Sequence, residues 1–123
     1  MPPPRTLRPC PKRPNCVSTE ALDAGHRMEP LPYRDLAEAR RQLLGILGGM
    51  PRSKVVEQDE TYVHAEFRSA FFRFVDDVEL VFDEKAKLLR FRSAARLGYR
   101  DFGVNRKRME EIGKAFKEKV SGR

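Results

Sequence analysis

Apolar residues recur along this chain in two rhythms. Leu36, Ala39, Leu43 and Ile46/Leu47 fall three or four residues apart, which predicts a helix over 35–47 with one buried stripe. Asp35 suits its N-cap and Glu38 completes a capping box. Gly48-Gly49 and Pro51 end it. Met109, Ile112, Phe116 and Val120 predict a second helix over 104–120. Between the helices the rhythm changes to two. Val63, Ala65 and Phe67 alternate with Tyr62, His64, Glu66 and Arg68, and Val78, Leu80 and Phe82 alternate with Asp77, Glu79 and Val81. Strands are predicted over 54–57, 61–68, 74–82 and 88–94, each with one buried face. Their connections are short, so an antiparallel meander is the simplest arrangement.

Prolines concentrate in residues 1–32, where missing amide donors resist regular pairing. Within that segment the stretch 27–33 supplies a short edge strand at most. The expected fold is therefore α+β: a four-stranded antiparallel sheet, five-stranded if that edge strand forms, with two helices on one face. The order is (β)-α-β-β-β-β-α. Residues 1–32 read as a proline-rich N-terminal segment, and 33–123 as one domain.

At 123 residues, 40% hydrophobic and 35% charged, the chain can fill one core. Composition excludes a membrane span, a collagen, a coiled coil and a disulfide-dense toxin. The first residues lack a signal peptide's apolar stretch, and none precedes Cys10, so the default expectation is cytoplasmic.

The net charge of +7 is unevenly placed. Residues 20–89 are acidic on balance. Residues 90–108 hold seven basic groups against Asp101 alone. Arg106, Lys107 and Arg108 fall at the start of the second helix, where the helix dipole is already positive. Free amides and arginines there make an anion site. Antiparallel order brings this helix start, the turn 69–73, Asp76, Asp77 and the loop 94–102 to one end of the sheet. Phe71, Phe72, Tyr99 and Phe102 lie in those connections. In the bland reading these aromatics fold back as lids, and the arginines pair with Asp76, Asp77 and Asp101.

With a four-residue loop 83–86 joining the last two strands, Glu79 faces Arg90 and Asp77 faces Arg92 on the solvent face, as cross-strand ion pairs. Asp76 then points to the covered face opposite Ser93, with Arg96 or amides of the second helix as further partners. A covered carboxylate is either satisfied structurally or functional.

Cys10 and Cys16 have five residues between them, and without a visible export signal reduced thiols are the default. That spacing, with His26 and His64 far apart, makes a zinc site a poor reading. His64 is expected exposed on its strand and His26 in a loop. No cofactor is expected.

Three blocks together resemble a known family. They are Cys10-Pro11-Lys12-Arg13-Pro14-Asn15-Cys16-Val17-Ser18, Phe74-Val75-Asp76-Asp77-Val78-Glu79, and the run from Arg92-Ser93-Ala94-Ala95-Arg96-Leu97-Gly98-Tyr99 to Asp101-Phe102-Gly103-Val104-Asn105-Arg106. The chain resembles a bacterial and plastid family catalogued as domain of unknown function 1499. Departures are local: Lys12 and Arg13 replace an acid and a serine, Ala95 a second serine, and the residue before the Arg100–Asp101 step a smaller one. The resemblance implies a small domain, often preceded in relatives by a membrane or export segment, and no established activity. It places the family motif on Asp76, Asp77, Arg92, Ser93, Arg96, Gly98, Asp101, Asn105 and Arg106. If relatives are exported, a Cys10–Cys16 disulfide gains ground.

The expected function is a non-enzymatic module binding an anionic small molecule, lipid head group or acidic protein segment at the sheet end formed by residues 69–77 and 93–108. Its candidate residues are Asp76, Asp77, Arg92, Ser93, Arg96, Tyr99, Asp101, Asn105 and Arg106. Nucleic-acid binding ranks second, because Glu66, Asp77 and Glu79 on the strands repel phosphates. A hydrolase using Asp76 with Ser93 or Arg96 is the enzymatic alternative. No catalytic constellation is recognised.

Overall fold

A computed structural model describes residues 5–71 and 74–121. The elements run β1 (Cys16–Ser18), β2 (Leu31–Pro32), α1 (Leu36–Gly48), β3 (Ser53–Gln58), β4 (Tyr62–Arg68), β5 (Val75–Asp83), β6 (Leu88–Ala95) and α2 (Val104–Ser121). The sheet is antiparallel in the order β1-β6-β5-β4-β3, with β2 pairing the other end of β6. This is the expected α+β class. β2 falls within the stretch foreseen as an edge strand. β1 is an addition, because three residues are too few for an alternating pattern.

Each helix begins and ends as its sequence dictates. Asp35 caps α1, its carboxylate accepting the Glu38 amide at 2.9 Å, and Gly49 closes it by donating to the Gly45 carbonyl. Ala39, Leu43, Ile46 and Leu47 of α1 and Met109, Ile112 and Phe116 of α2 pack on one face of the sheet. That face presents Val63, Ala65, Phe67, Val78, Leu80, Phe82, Leu89 and Phe91. Each fully buried Leu or Phe in this layer contributes roughly 1.5–3 kcal/mol.

The opposite face carries Tyr62, His64, Glu66, Asp77, Glu79, Arg90 and Arg92, and the N-terminal segment covers it. Cys10 is bonded to Cys16 on β1. From there the chain crosses the strands in spatial order. The Pro9 carbonyl accepts from Arg92 on β6 at 3.4 Å. Arg8 lies 3.7 Å from Glu79 on β5, a charge contact too long for a hydrogen bond. Arg5 sits 4.0 Å above the Tyr62 ring on β4 and binds Glu57 on β3 at 2.8 Å. The expected solvent face is thus partly buried: Tyr62 is 4% exposed and Arg92 8%.

The β5–β6 register corrects the expected one by two residues. Asp83 pairs with Leu88, so the loop is 84–87, with Lys87 in the left-handed region at φ 57°. The Asp83 carboxylate accepts the Ala86 amide and fixes that turn. Faces are conserved by a two-residue shift, but partners are not. Glu79 faces Arg92, Asp77 faces Ala94, and Asp76 faces Ala95 rather than Ser93.

Candidate functional site

The nine candidate residues divide among the two faces of the sheet, the loop between β6 and α2, and the start of α2. Asp76 points toward the helices, and Arg108 of α2 reaches it at 2.9 Å. Arg108 also donates to Asn105 at 2.8 Å, and its guanidinium lies 4.6 Å over the Phe67 ring. Burial pushes the Asp76 carboxyl above its ordinary range, with Arg108 opposing. The partner is thus Arg108, one helical turn beyond Asn105, rather than Ser93 or Arg96.

Asp77 occupies the other face. Glu66 stands directly opposite it on β4, an adjacency that like charges make unfavourable. Arg96 resolves the conflict. Its guanidinium binds both Asp77 oxygens, at 2.7 and 3.0 Å, and Glu66 at 3.0 Å. His64 adds a 2.8 Å contact to Asp77. His64 is therefore half-buried and paired, not simply exposed on its strand. Burial raises the Asp77 carboxyl, but hydrogen bonds from Arg96 and His64 outweigh it and hold the group below its ordinary range. The same contacts raise Arg96.

Arg92 lies on that face under the N-terminal segment. Burial lowers its pKa, aided by nearby Arg8. Its Nε has no hydrogen-bond partner among the described residues. Glu79, its cross-strand neighbour, instead accepts from the Tyr62 hydroxyl at 2.7 Å. Arg90 pairs with Asp83 at 3.0 Å, not with Glu79.

Ser93, Asn105 and Asp101 form the seat of α2. The fully buried Ser93 hydroxyl donates to the Asn105 side chain at 2.5 Å. Asn105 donates to Asp101 at 2.8 Å, and Asp101 accepts the amides of Gly103 and Asn105. The helix start is therefore already capped by a carboxylate of its own chain. The amides expected to bind an external anion are in part taken. Asn15 completes the seat, donating to the Gly98 carbonyl at 2.8 Å. Arg106 turns away, donating to the carbonyls of Gly25 and Arg27. Ser93 and Asp76 thus have separate partners and do not make a nucleophile–base pair.

The aromatics behave oppositely to the acids. They do not fold back as lids. Phe71 is 89% exposed, Tyr99 61% and Phe102 86%; Leu97 joins them at 74%. Arg100 stands about equally far from the Tyr99 and Phe102 rings, 6.0 and 5.9 Å. Phe102 is held at φ 55°, a region that costs a bulky residue on the order of 1 kcal/mol, and Gly98 and Gly103 also have positive φ. Phe72 and Arg73, expected in the neighbouring turn, lie outside the described residues.

Sequence reasoning missed one feature of this end. Between the α1–β3 turn, the end of β4 and the start of α2 runs a shallow cleft of about 240 Å³. Arg52, Arg68, Lys107 and Arg108 line it, over Phe67 and Val104, with Glu111 as its one acid. Arg68 is paired with Glu66 and Arg108 with Asp76. Arg52, Arg100, Arg106 and Lys107 form no ion pair among the described residues. Arg52 comes from another part of the chain, so no local pattern announces it.

A family model described as "Protein of unknown function (DUF1499)" matches residues 6–116. The chain belongs to this family. The match takes in the N-terminal segment, so the DUF1499 unit spans the strap of residues 5–10 nearly whole, together with the sheet, α1 and α2 as far as residue 116. No match is found among curated proteins or among solved structures. No helix among the described residues is long and apolar enough to cross a membrane, and no cluster of His, Cys, Asp or Glu there has the makings of a metal site. Cys10 and Cys16, the cysteines of the first motif block, are joined to each other rather than free.

Proposed function

We propose that this DUF1499 protein is a non-enzymatic binding module whose ligand is anionic and sits where residues 69–77 and 93–108 meet. A single observation carries the reading. At this end Glu66, Asp76, Asp77 and Asp101 are engaged by internal partners, while Arg52, Arg100 and Lys107 carry no ion pair among the described residues and outnumber Glu111, the one acid lining the cleft; Tyr99, Phe102 and Val104 expose apolar surface beside them. Unneutralised cations beside apolar surface suit a small anionic molecule, a lipid head group or an acidic protein segment. The recognition element is the cleft and its loops. Asp101, Asn105, Ser93 and Asn15 hold the loops in place without touching ligand. Nucleic acid fits less well, because Glu66, Asp77 and Glu79 put acidic groups on the adjoining sheet face, which repel phosphates.

Thermal-shift measurements with inorganic phosphate, pyrophosphate and citrate test the proposal. Binding should raise Tm progressively, with the logarithm of anion concentration once the site is mostly filled. The rise should be lost in the double variant Arg52→Ala/Lys107→Ala, whose own Tm stays near that of the wild type. No rise with any of these anions, or an equal rise in the variant, would refute an anion site in this cleft.

A further inference from the structure

The loops at the cleft end are built to touch something larger than a dissolved anion. Phe71 lies in the β4–β5 loop; Leu97, Tyr99 and Phe102 lie in the β6–α2 loop. The two loops leave the same end of the sheet: Arg68 pairs with Val75, and the Arg96 amide donates to the Val75 carbonyl. These four side chains and Val104 are 47–89% exposed, a concentration of apolar surface unusual outside contact sites. The β6–α2 part of it is tied down by hydrogen bonds. Asn15 ties down Gly98, Asp101 ties down Gly103, and Phe102 is kept outward at an unfavourable φ. A backbone cost borne at an exposed aromatic is characteristic of contact and functional sites.

We infer that these loops dock the protein peripherally on an anionic lipid surface, with Phe71, Leu97, Tyr99 and Phe102 entering the interface. Arg52, Arg100 and Lys107 supply cations for the head groups. This inference rests on the anion-binding reading above and names the partner. Charge complementarity selects the surface. A set of unpaired cations around apolar tips matches a layer with phosphate outside and hydrocarbon beneath. Tyr and Arg suit the boundary, since each has an apolar body and a polar end. A soluble acidic peptide would satisfy the cations but leave most of Phe71 and Phe102 in water. Binding of this kind is reversible, since it rests on a few inserted side chains and no membrane-crossing helix among the described residues.

The test is co-sedimentation of the full chain with vesicles of phosphatidylcholine alone and of phosphatidylcholine mixed with phosphatidylglycerol. The protein should pellet with the mixed vesicles and stay in the supernatant with the neutral ones. Leu97→Ser/Phe102→Ser should lower the partition coefficient by about tenfold or more, and Lys107→Ala by about fivefold, with Tm unchanged in both. Two control arms separate the sources of anion. One is thermal shift with soluble glycerophosphoglycerol; the other is binding to a poly-glutamate peptide. Mixed vesicles that do not bind, while phosphate or glycerophosphoglycerol still raises Tm through Arg52 and Lys107, would overturn the membrane inference and leave the anion site standing. Vesicle binding that Leu97→Ser/Phe102→Ser does not weaken would overturn it too, because nonspecific adsorption of a +7 chain would explain the result. Poly-glutamate binding that needs Phe102 and Leu97, without vesicle binding, would assign the surface to an acidic protein instead. Failure of every arm would remove both readings.

Discussion

The two faces of the sheet are covered by different means, and Asp76 and Asp77 report the difference from adjacent positions. On Asp76's face, two helices lay Leu43, Leu47, Met109, Ile112 and Phe116 on a matching apolar sheet. On Asp77's face, the segment 5–10 crosses the strands as an extended strap held by one disulfide, Arg5 on Tyr62 and Glu57, and the Pro9 carbonyl on Arg92. The helix layer is held by burial, which is large and non-directional. The strap is held by a covalent tie and a few polar contacts, each small and partly exposed. A short chain can thus shield a second sheet face without a second apolar core. That face then carries charged and polar side chains, most of them paired, in place of a continuous apolar layer.

Substitutions in the two layers should differ several-fold. Phe116→Ala is expected to cost about 3–5 kcal/mol in urea unfolding, since it empties a fully buried site. Arg5→Ala should cost about 1 kcal/mol or less, the range of an exposed ion pair with a cation–π contact. Equal costs would break the comparison. Cys10→Ser falls between them. Opening a loop this short removes about 2 kcal/mol of unfolded-state constraint and unties the strap at its fixed end. Tryptic cleavage after Arg5 should then accelerate, while cleavage within α2 at low temperature stays at the wild-type rate. An unchanged rate after Arg5 would mean that the polar contacts alone hold the strap.

The helix layer was legible in the sequence and the strap was not. Alternation in β4 and β5 and the spacing of α1 and α2 read directly onto the core, because burial repeats with the geometry of the element. The strap has no period. Arg5, Arg8 and Pro9 bind through single contacts to strands far along the chain, and no local pattern encodes them. β1 was invisible for the same reason, since Cys16, Val17 and Ser18 are too few to alternate. Register failed at the 83–88 turn, where either placement keeps the same faces and only the Asp83–Ala86 bond and the left-handed Lys87 decide. At the cleft end, the sequence brings segments 69–77 and 93–108 together but leaves two arrangements open: acids, arginines and Tyr99 all facing a ligand, or arginines paired with the acids beneath aromatic lids. Asp101, Asp76 and Asp77 are internal partners, and Phe71, Tyr99 and Phe102 face solvent. The missing information was which cation reaches which acid, a matter of helix phase for Arg108 and of cross-strand position for Arg96.

The smallest expected effect gives the finest test, because the two aspartates should titrate with opposite sign. Asp77 is held below its ordinary pKa, so its ionised form stabilises the fold. That stability is present above the unfolded value of about 3.9 and is lost as pH falls through the lower folded value. Asp76 is raised, so its protonated form is the favoured one. The stability it adds is present below about 3.9 and is lost as pH rises through the higher folded value. Asparagine titrates at neither position, so each variant isolates one proton. The stability gap between wild type and Asp77→Asn should widen as pH rises from strongly acidic toward neutral. The gap between wild type and Asp76→Asn should shrink over the higher part of that range. Each change should be about 1 kcal/mol or less, read from urea midpoints at constant ionic strength. Two gaps moving the same way would show that the faces do not differ electrostatically. A reversed pair would mean that Arg108 binds Asp76 more tightly than Arg96 and His64 bind Asp77, and that the helix face, not the strap face, owes more to charge.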